Sequence, residues 1–211
     1  MTGSAKLSTP PARLALDPGK HLEMFDGVLW RVTATSGAHP QAWNELREYG
    51  PIPGMRFDPH PPPEGPSPGV GFLYSARKIT TALAEVFHHT RVIDRSFRGA
   101  ALVGWRVTRP LRLLDLTGTW PVENYGAAAL QMGEKTHTSE WARAIADQFG
   151  DTVDGLSHRS SVDNGHMVTL FARSRRQESF PRRPSFHELL SSAACDELIL
   201  HACDELNYSA T

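Results

Sequence analysis

The chain has 211 residues, 40% of them hydrophobic and 21% charged, the balance of one soluble globular domain with a single substantial core. A formal net charge of −1 removes any global field that would draw the protein to nucleic acid or to an anionic membrane. Two cysteines, Cys195 and Cys203, are too few for a disulfide framework and wrongly spaced for a zinc site, so the expected compartment is the reducing cytoplasm.

Residues 1–20, rich in Pro, Ser, Thr and Gly, are expected to form a flexible leader with no apolar signal-peptide core. Gly27 to Thr33 alternates and predicts a strand. Pro40 to Tyr49 predicts a short helix stopped by Gly50 and Pro51. The five prolines between His60 and Gly69 exclude helix and central strand there, and Val70 to Ser75 predicts a strand rising out of that loop. Lys78 to Thr90 is the clearest helix: Ile79, Ala82, Leu83, Val86 and Phe87 make one apolar stripe, with Glu85 well off it.

Strands are predicted at Ala100 to Val107 and Leu111 to Leu116, then helices at Asn124 to Met132 and Glu140 to Phe149, the second with Ser139 as N-cap. Val153 to Ser160 and His166 to Arg173 predict a hairpin across Asp163-Asn164-Gly165, because Asn-Gly accepts positive φ. An arginine-rich connector follows, and the chain reads as helical from about Pro184. Strands and helices interleave without a βαβ rhythm, which points to an α+β domain. The expected division is a leader at 1–20, a main domain at 21–178 and a C-terminal helical tail at 179–211. No run of about 18 apolar residues is available to span a membrane.

Five polar residues stand at or inside these elements in chain order. Arg31 closes Trp30-Arg31-Val32, and Arg56 opens the turn Arg56-Phe57-Asp58-Pro59. Tyr74 ends Phe72-Leu73-Tyr74-Ser75, Glu85 lies in the clearest helix, and Ser160 follows Asp154-Gly155-Leu156. A planar guanidinium clamps a diphosphate bidentately, as lysine cannot. A carboxylate beside a developing oxocarbenium ion is worth most in a water-poor site. Each residue also has a plainer alternative. Arg31 could cover Trp30, Arg56 could pair with Asp58, Tyr74 could belong to the core, and Glu85 could be a solvated helix residue near His88 or His89.

That order, with Leu114-Asp115-Leu116-Thr117 between the pieces, resembles the RES-domain family over roughly Gly27 to Arg173. Studied members of the family are bacterial toxins that destroy NAD and share a core with ADP-ribosylating toxins. The resemblance implies an ADP-ribosyltransferase-like mixed β-sheet core flanked by helices. It also implies an enzyme that cleaves the nicotinamide–ribose bond of NAD with water or inorganic phosphate as acceptor. NAD is then the substrate and no cofactor is implied. Arg31 and Arg56 would hold phosphates, Tyr74 would place the nicotinamide ribose, Glu85 would stabilise the cationic sugar, and Ser160, chosen over Ser157 and Ser161, would orient substrate.

The same resemblance implies a toxin–antitoxin pair with a cognate helix-turn-helix antitoxin covering the site. Two rival readings stand beside it: transfer of ADP-ribose to a protein or nucleobase, and a catalytically silent nucleotide- or partner-binding domain. The chain departs from the usual family pattern at Met55, where Gly is common, at His158, where an aromatic is common, and at Ser161, where Arg is common. The proline-rich loop from His60 to Pro68, lying between Arg56 and Tyr74, is expected to border the cleft.

Other motifs fail. Gly69-Val70-Gly71 lacks the third glycine of a dinucleotide fingerprint and leads into a strand. The ten histidines form neither an HxxxH pair nor HExxH, so no metal site is expected. The arginines at 173, 175, 176, 182 and 183 lack the aromatic ladder of a nucleic-acid surface.

Overall fold

The computed structural model describes residues 9–37 and 39–211. Eight strands build the main sheet: β1 (Leu22–Phe25), β2 (Val28–Ala34), β3 (Phe72–Ala76), β4 (Ala100–Arg106), β5 (Leu111–Asp115), β6 (Gly155–Arg159), β7 (His166–Phe171) and β8 (Phe186–Leu189). Their spatial order is β1-β5-β6-β7-β3-β2-β4-β8, and every neighbouring pair is antiparallel except β5 with β6. The main helices are α1 (Ile79–Phe87), α2 (Lys135–Phe149) and α3 (Asp196–Leu206). The architecture is the expected α+β one, a mixed sheet flanked by helices. None of the helices described is long and apolar enough to cross a membrane.

One core joins α2 to β5 and β6 through Trp141, Ile145, Leu114 and Leu156, with Trp120 edge-on to Trp141 at 5.9 Å. A second joins α1, α3 and β4 through Leu83, Phe87, Ile199 and Leu102. Burying a Leu or Phe side chain of this kind is worth about 1.5–3 kcal/mol, so α1 is fixed from the sheet side and from the α3 side. Thr80, Thr81, Ala82, Leu83, Ala84 and Phe87 are all buried, and the helix is open mainly along Glu85 and Val86. Val86, counted on the apolar stripe by its spacing, is 37% exposed because its side of the helix faces a cavity and not the core.

The sheet is weakest at its middle. β2 and β3 are paired only at Trp30 opposite Ala76. On the Arg31 side of that point residues of both strands line one cavity. Gly104 of β4 lies under Trp30, where an added Cβ would sit 2.5 Å from the indole, so only glycine lets the ring lie flat on the sheet.

Several elements differ from the sequence expectation. Residues 40–49 form no helix. The carbonyl of Gln41 accepts from Thr33 Oγ1 and that of Trp43 from Arg31, while Arg47 bridges to Phe72, so these backbone groups serve the sheet edge and are lost to a helical ladder. α2 starts at Lys135, five residues before the predicted Glu140, and Ser139 lies inside it with its hydroxyl directed at Met55 O and not at a cap. Asn124 to Met132 gives only a 3-10 turn at Ala128–Met132, preceded by a short helix at Trp120–Glu123. The hairpin forms as predicted, with Asn164 at φ 59.

Residues 1–8 of the expected leader lie outside the described residues, but its second half is packed. Leu14 is buried in the α2 core, and Ala15 accepts from Trp120 Nε1 and donates to Asn124 Oδ1. The C-terminal segment is likewise no separate tail. β8 closes one edge of the main sheet, α3 packs on α1, and Ser209–Ala210 pairs in parallel with Val92–Ile93.

Candidate active site

A cavity of about 460 Å³ opens beside the split between β2 and β3. That volume suits a small-molecule ligand. Arg31, Arg56, Tyr74 and Glu85 all line it, although they come from β2, a turn, β3 and α1. Among the described residues, five permanent cations stand around it, Arg31, Arg47, Arg56, Lys135 and Arg159, against two carboxylates, Glu45 and Glu85. The walls therefore favour an anion.

Arg31 points from β2 into this space. Its two terminal nitrogens donate to Trp43 O at 3.1 Å and Gln41 Oε1 at 3.2 Å, while Nε is buried without a partner. Burial lowers its pKa to about 10, partly offset by the more distant Glu45, so the side chain stays charged at neutral pH. Arg56 donates to Gly133 O at 2.5 Å, and burial lowers its pKa while Glu85 and Tyr74 act to raise it. Neither arginine forms an ion pair with a described carboxylate. The plainer alternative for Arg56, a pairing with Asp58, is not formed, because the turn points the two side chains apart: Phe57 between them takes φ 56 and is fully buried.

Asp58 instead anchors the turn. One carboxylate oxygen accepts from the backbone N and Nδ1 of His60, the other from Arg47 and Ile52 N. These bonds hold its pKa at about 2 against the effect of burial. Arg47, which no sequence pattern singled out, is thereby locked above the Phe72 ring at 4.5 Å and forms part of the cavity wall. Tyr74 stands edge-on to Phe72 at 5.1 Å with its hydroxyl buried and unpartnered. Burial raises its pKa far above the ordinary range, so it is a neutral phenol able to donate or accept toward a ligand.

Glu85 reaches the cavity from α1, and Ser160 Oγ donates to its Oε1 at 2.6 Å. The same hydroxyl accepts from the N–H groups of Val162 and Asp163 at 3.0 and 3.3 Å. Ser160 is 3% exposed and does not line the cavity, whereas Ser161 and Val162 do. The expectation that Ser160 touches substrate is corrected on this geometry, because its proton and its lone pairs are already committed. It orients Glu85 from behind.

His158 supplies part of the cavity wall. The carbonyl of Arg159 can only accept, so Nδ1 carries the proton at 3.2 Å from it, and Nε2 accepts from Thr169 Oγ1 at 2.9 Å. Burial lowers the pKa to about 4, and Arg56 adds to the effect. The unfolded side chain would titrate near 6.5. Above that pH both states are neutral. As pH falls from 6.5 to 4 only the unfolded state gains the proton, so the fold loses stability, by about 3 kcal/mol at the lower end. His158→Phe should remove that dependence. Urea unfolding of both proteins at several pH values checks it, and parallel curves for the two would refute the assignment.

Three sequence features lie away from the cavity, and for the first this overturns the expectation. The proline-rich loop does not border the cavity: Tyr49–Gly50 pairs with Gly65–Pro66, which holds it against its own stem. Leu114-Asp115-Leu116-Thr117 is structural, with both leucines in the core and Asp115 accepting from Thr117 N and Oγ1. Within the arginine run, Arg173 lies 3.4 Å from the buried Asp154 and Arg176 lies 2.7 Å from Asp151, away from the cavity.

The sequence pattern of the RES domain matches residues 28–189. This chain belongs to the RES-domain family. The match extends beyond the expected end of the main domain at 178 and takes in β8, in keeping with that strand's place in the main sheet. No curated protein sequence matches the chain. Among solved structures, a chain of the M. tuberculosis MbcT–MbcA toxin–antitoxin complex has a similar fold. The two are 17% identical with a TM-score of 0.55, and the alignment covers 85% of this chain and 92% of that one.

Proposed function

We propose that this RES-domain protein consumes NAD by breaking its nicotinamide–ribose bond, with water or inorganic phosphate as acceptor. The observation that carries the reading is the pairing of two partly buried arginines, free of described carboxylate partners, with the Glu85 carboxylate around one cavity. A diphosphate supplies the countercharge that Arg31 and Arg56 lack. The bonding electrons leave with the pyridinium nitrogen, which becomes neutral, so no general acid is needed. The ribose carbon is left cationic, as in glycoside cleavage, and Glu85 stabilises that charge. Tyr74, with its unpartnered hydroxyl, places the nicotinamide ribose.

The family and the fold shared with a chain of a toxin–antitoxin complex support a further part of the proposal, that the protein is the toxin of such a pair and meets a cognate helix-turn-helix antitoxin. The test is incubation of pure protein with NAD, with and without phosphate, followed by mass analysis. Nicotinamide with ADP-ribose or its 1″-phosphate is expected. Label appearing only on a protein or nucleic acid would favour the transferase reading, and intact NAD would favour a silent binding domain.

A further inference from the structure

The turn between β6 and β7 is fastened to α1 twice, one helical turn apart and in opposite senses. Ser160 of the turn donates to Glu85 of the helix, and Thr81 of the helix donates to Asp163 of the turn, Oγ1 to Oδ2 at 2.7 Å. Asp163 is itself built into the turn, since its Oδ1 accepts from Gly165 N at 2.9 Å and its own N–H donates to Ser160 Oγ. Thr81 is 1% exposed, and neither it nor Asp163 lines the cavity. The approach is close: a Cβ on Gly165 would lie 2.0 Å from Thr81 Oγ1, so glycine alone permits it.

A carboxylate on a helix whose open side faces a cavity has several rotamers available, and Ser160 selects one of them. Ser160 can do so only while the turn that carries it stays seated on α1. We infer that Thr81, Asp163 and Gly165 form a positioning latch that aims Glu85 at the reacting sugar. The inference rests on the reading of Glu85 as the group that acts on NAD. None of the three latch residues touches substrate, so the latch governs turnover and leaves ground-state binding alone.

Thr81→Val replaces the hydroxyl by a methyl group of the same shape. It should lower kcat about ten- to hundredfold, as misplacement of a reacting group does, while KM for NAD stays near the wild-type value. Thr81→Ser should restore turnover. Asp163→Ala approaches the latch from the turn, and its effect should not add to that of Thr81→Val. A purely structural threonine would lower the melting temperature and leave kcat unchanged, and that result with an inactive Glu85→Gln control overturns the latch while sparing the NAD reading. If wild-type protein leaves NAD intact, hydrogen exchange decides the latch alone. Faster exchange at the amides of Val162 and Asp163 in Thr81→Val supports it, and unchanged exchange overturns it.

Discussion

Glu85→Gln is expected to keep the fold and most of the affinity for NAD while turnover falls by about a hundred- to thousandfold. The charge that Glu85 meets exists only as the nicotinamide leaves, so its removal acts on the transition state and not on the bound substrate. Loss of one preorganised group of this kind costs about 3–4 kcal/mol of barrier. The substitution is nearly isosteric, and Gln can still accept from Ser160, so the turn should remain seated on α1. Steady-state kinetics of nicotinamide release, with melting temperature as the folding control, checks it. A solvated helix glutamate would shift stability by some tenths of a kcal/mol and leave turnover alone; normal turnover in folded Glu85→Gln protein would therefore end the mechanism.

Much of this site was legible where local rules coincide with the fold. The 3.6-residue stripe of α1 located the helix and put Glu85 off the buried face, which is where a cavity-lining residue must be. Asn164-Gly165 fixed the hairpin, and with it the turn that carries Ser160. The rest was hidden because it depends on distant partners. A helix for 40–49 follows from composition, yet Arg31 and Thr33 of β2 claim the carbonyls that such a helix would need. Ser160 has the offset of a substrate contact, and only the position of α1 shows that Glu85 intercepts its hydroxyl. Arg47, Lys135 and Arg159 reach the cavity through tertiary placement, with no signal in their own neighbourhoods. The stretch before α3 read as helix from its end alone, although Phe186 to Leu189 alternates and pairs with β4.

Arg31 gives the second large effect, and its signature should be the reverse of a structural residue's. Its guanidinium is charged, mostly buried and without a carboxylate partner, and burial lowers its pKa to about 10. A shift from 12.5 of that size means that the empty protein bears a net cost of about 3 kcal/mol for the charge, with the attraction of Glu45 already included. Arg31→Met keeps the aliphatic stem and removes the charge. Because removing an uncompensated buried charge relieves its desolvation, thermal stability should hold or rise. Binding of NAD should weaken at the same time, since a diphosphate is charged before any reaction begins. Loss of a charge-assisted pair costs about 1.5–3 kcal/mol, or about ten- to a hundredfold in affinity. Arg31→Lys should recover only part of that loss, because an ammonium cannot make the bidentate contact. Calorimetric titration with NAD beside thermal melts separates the outcomes: unfolding of Arg31→Met with unaltered affinity in any folded fraction would make Arg31 a structural tie for residues 41–43 and remove it from the phosphate site.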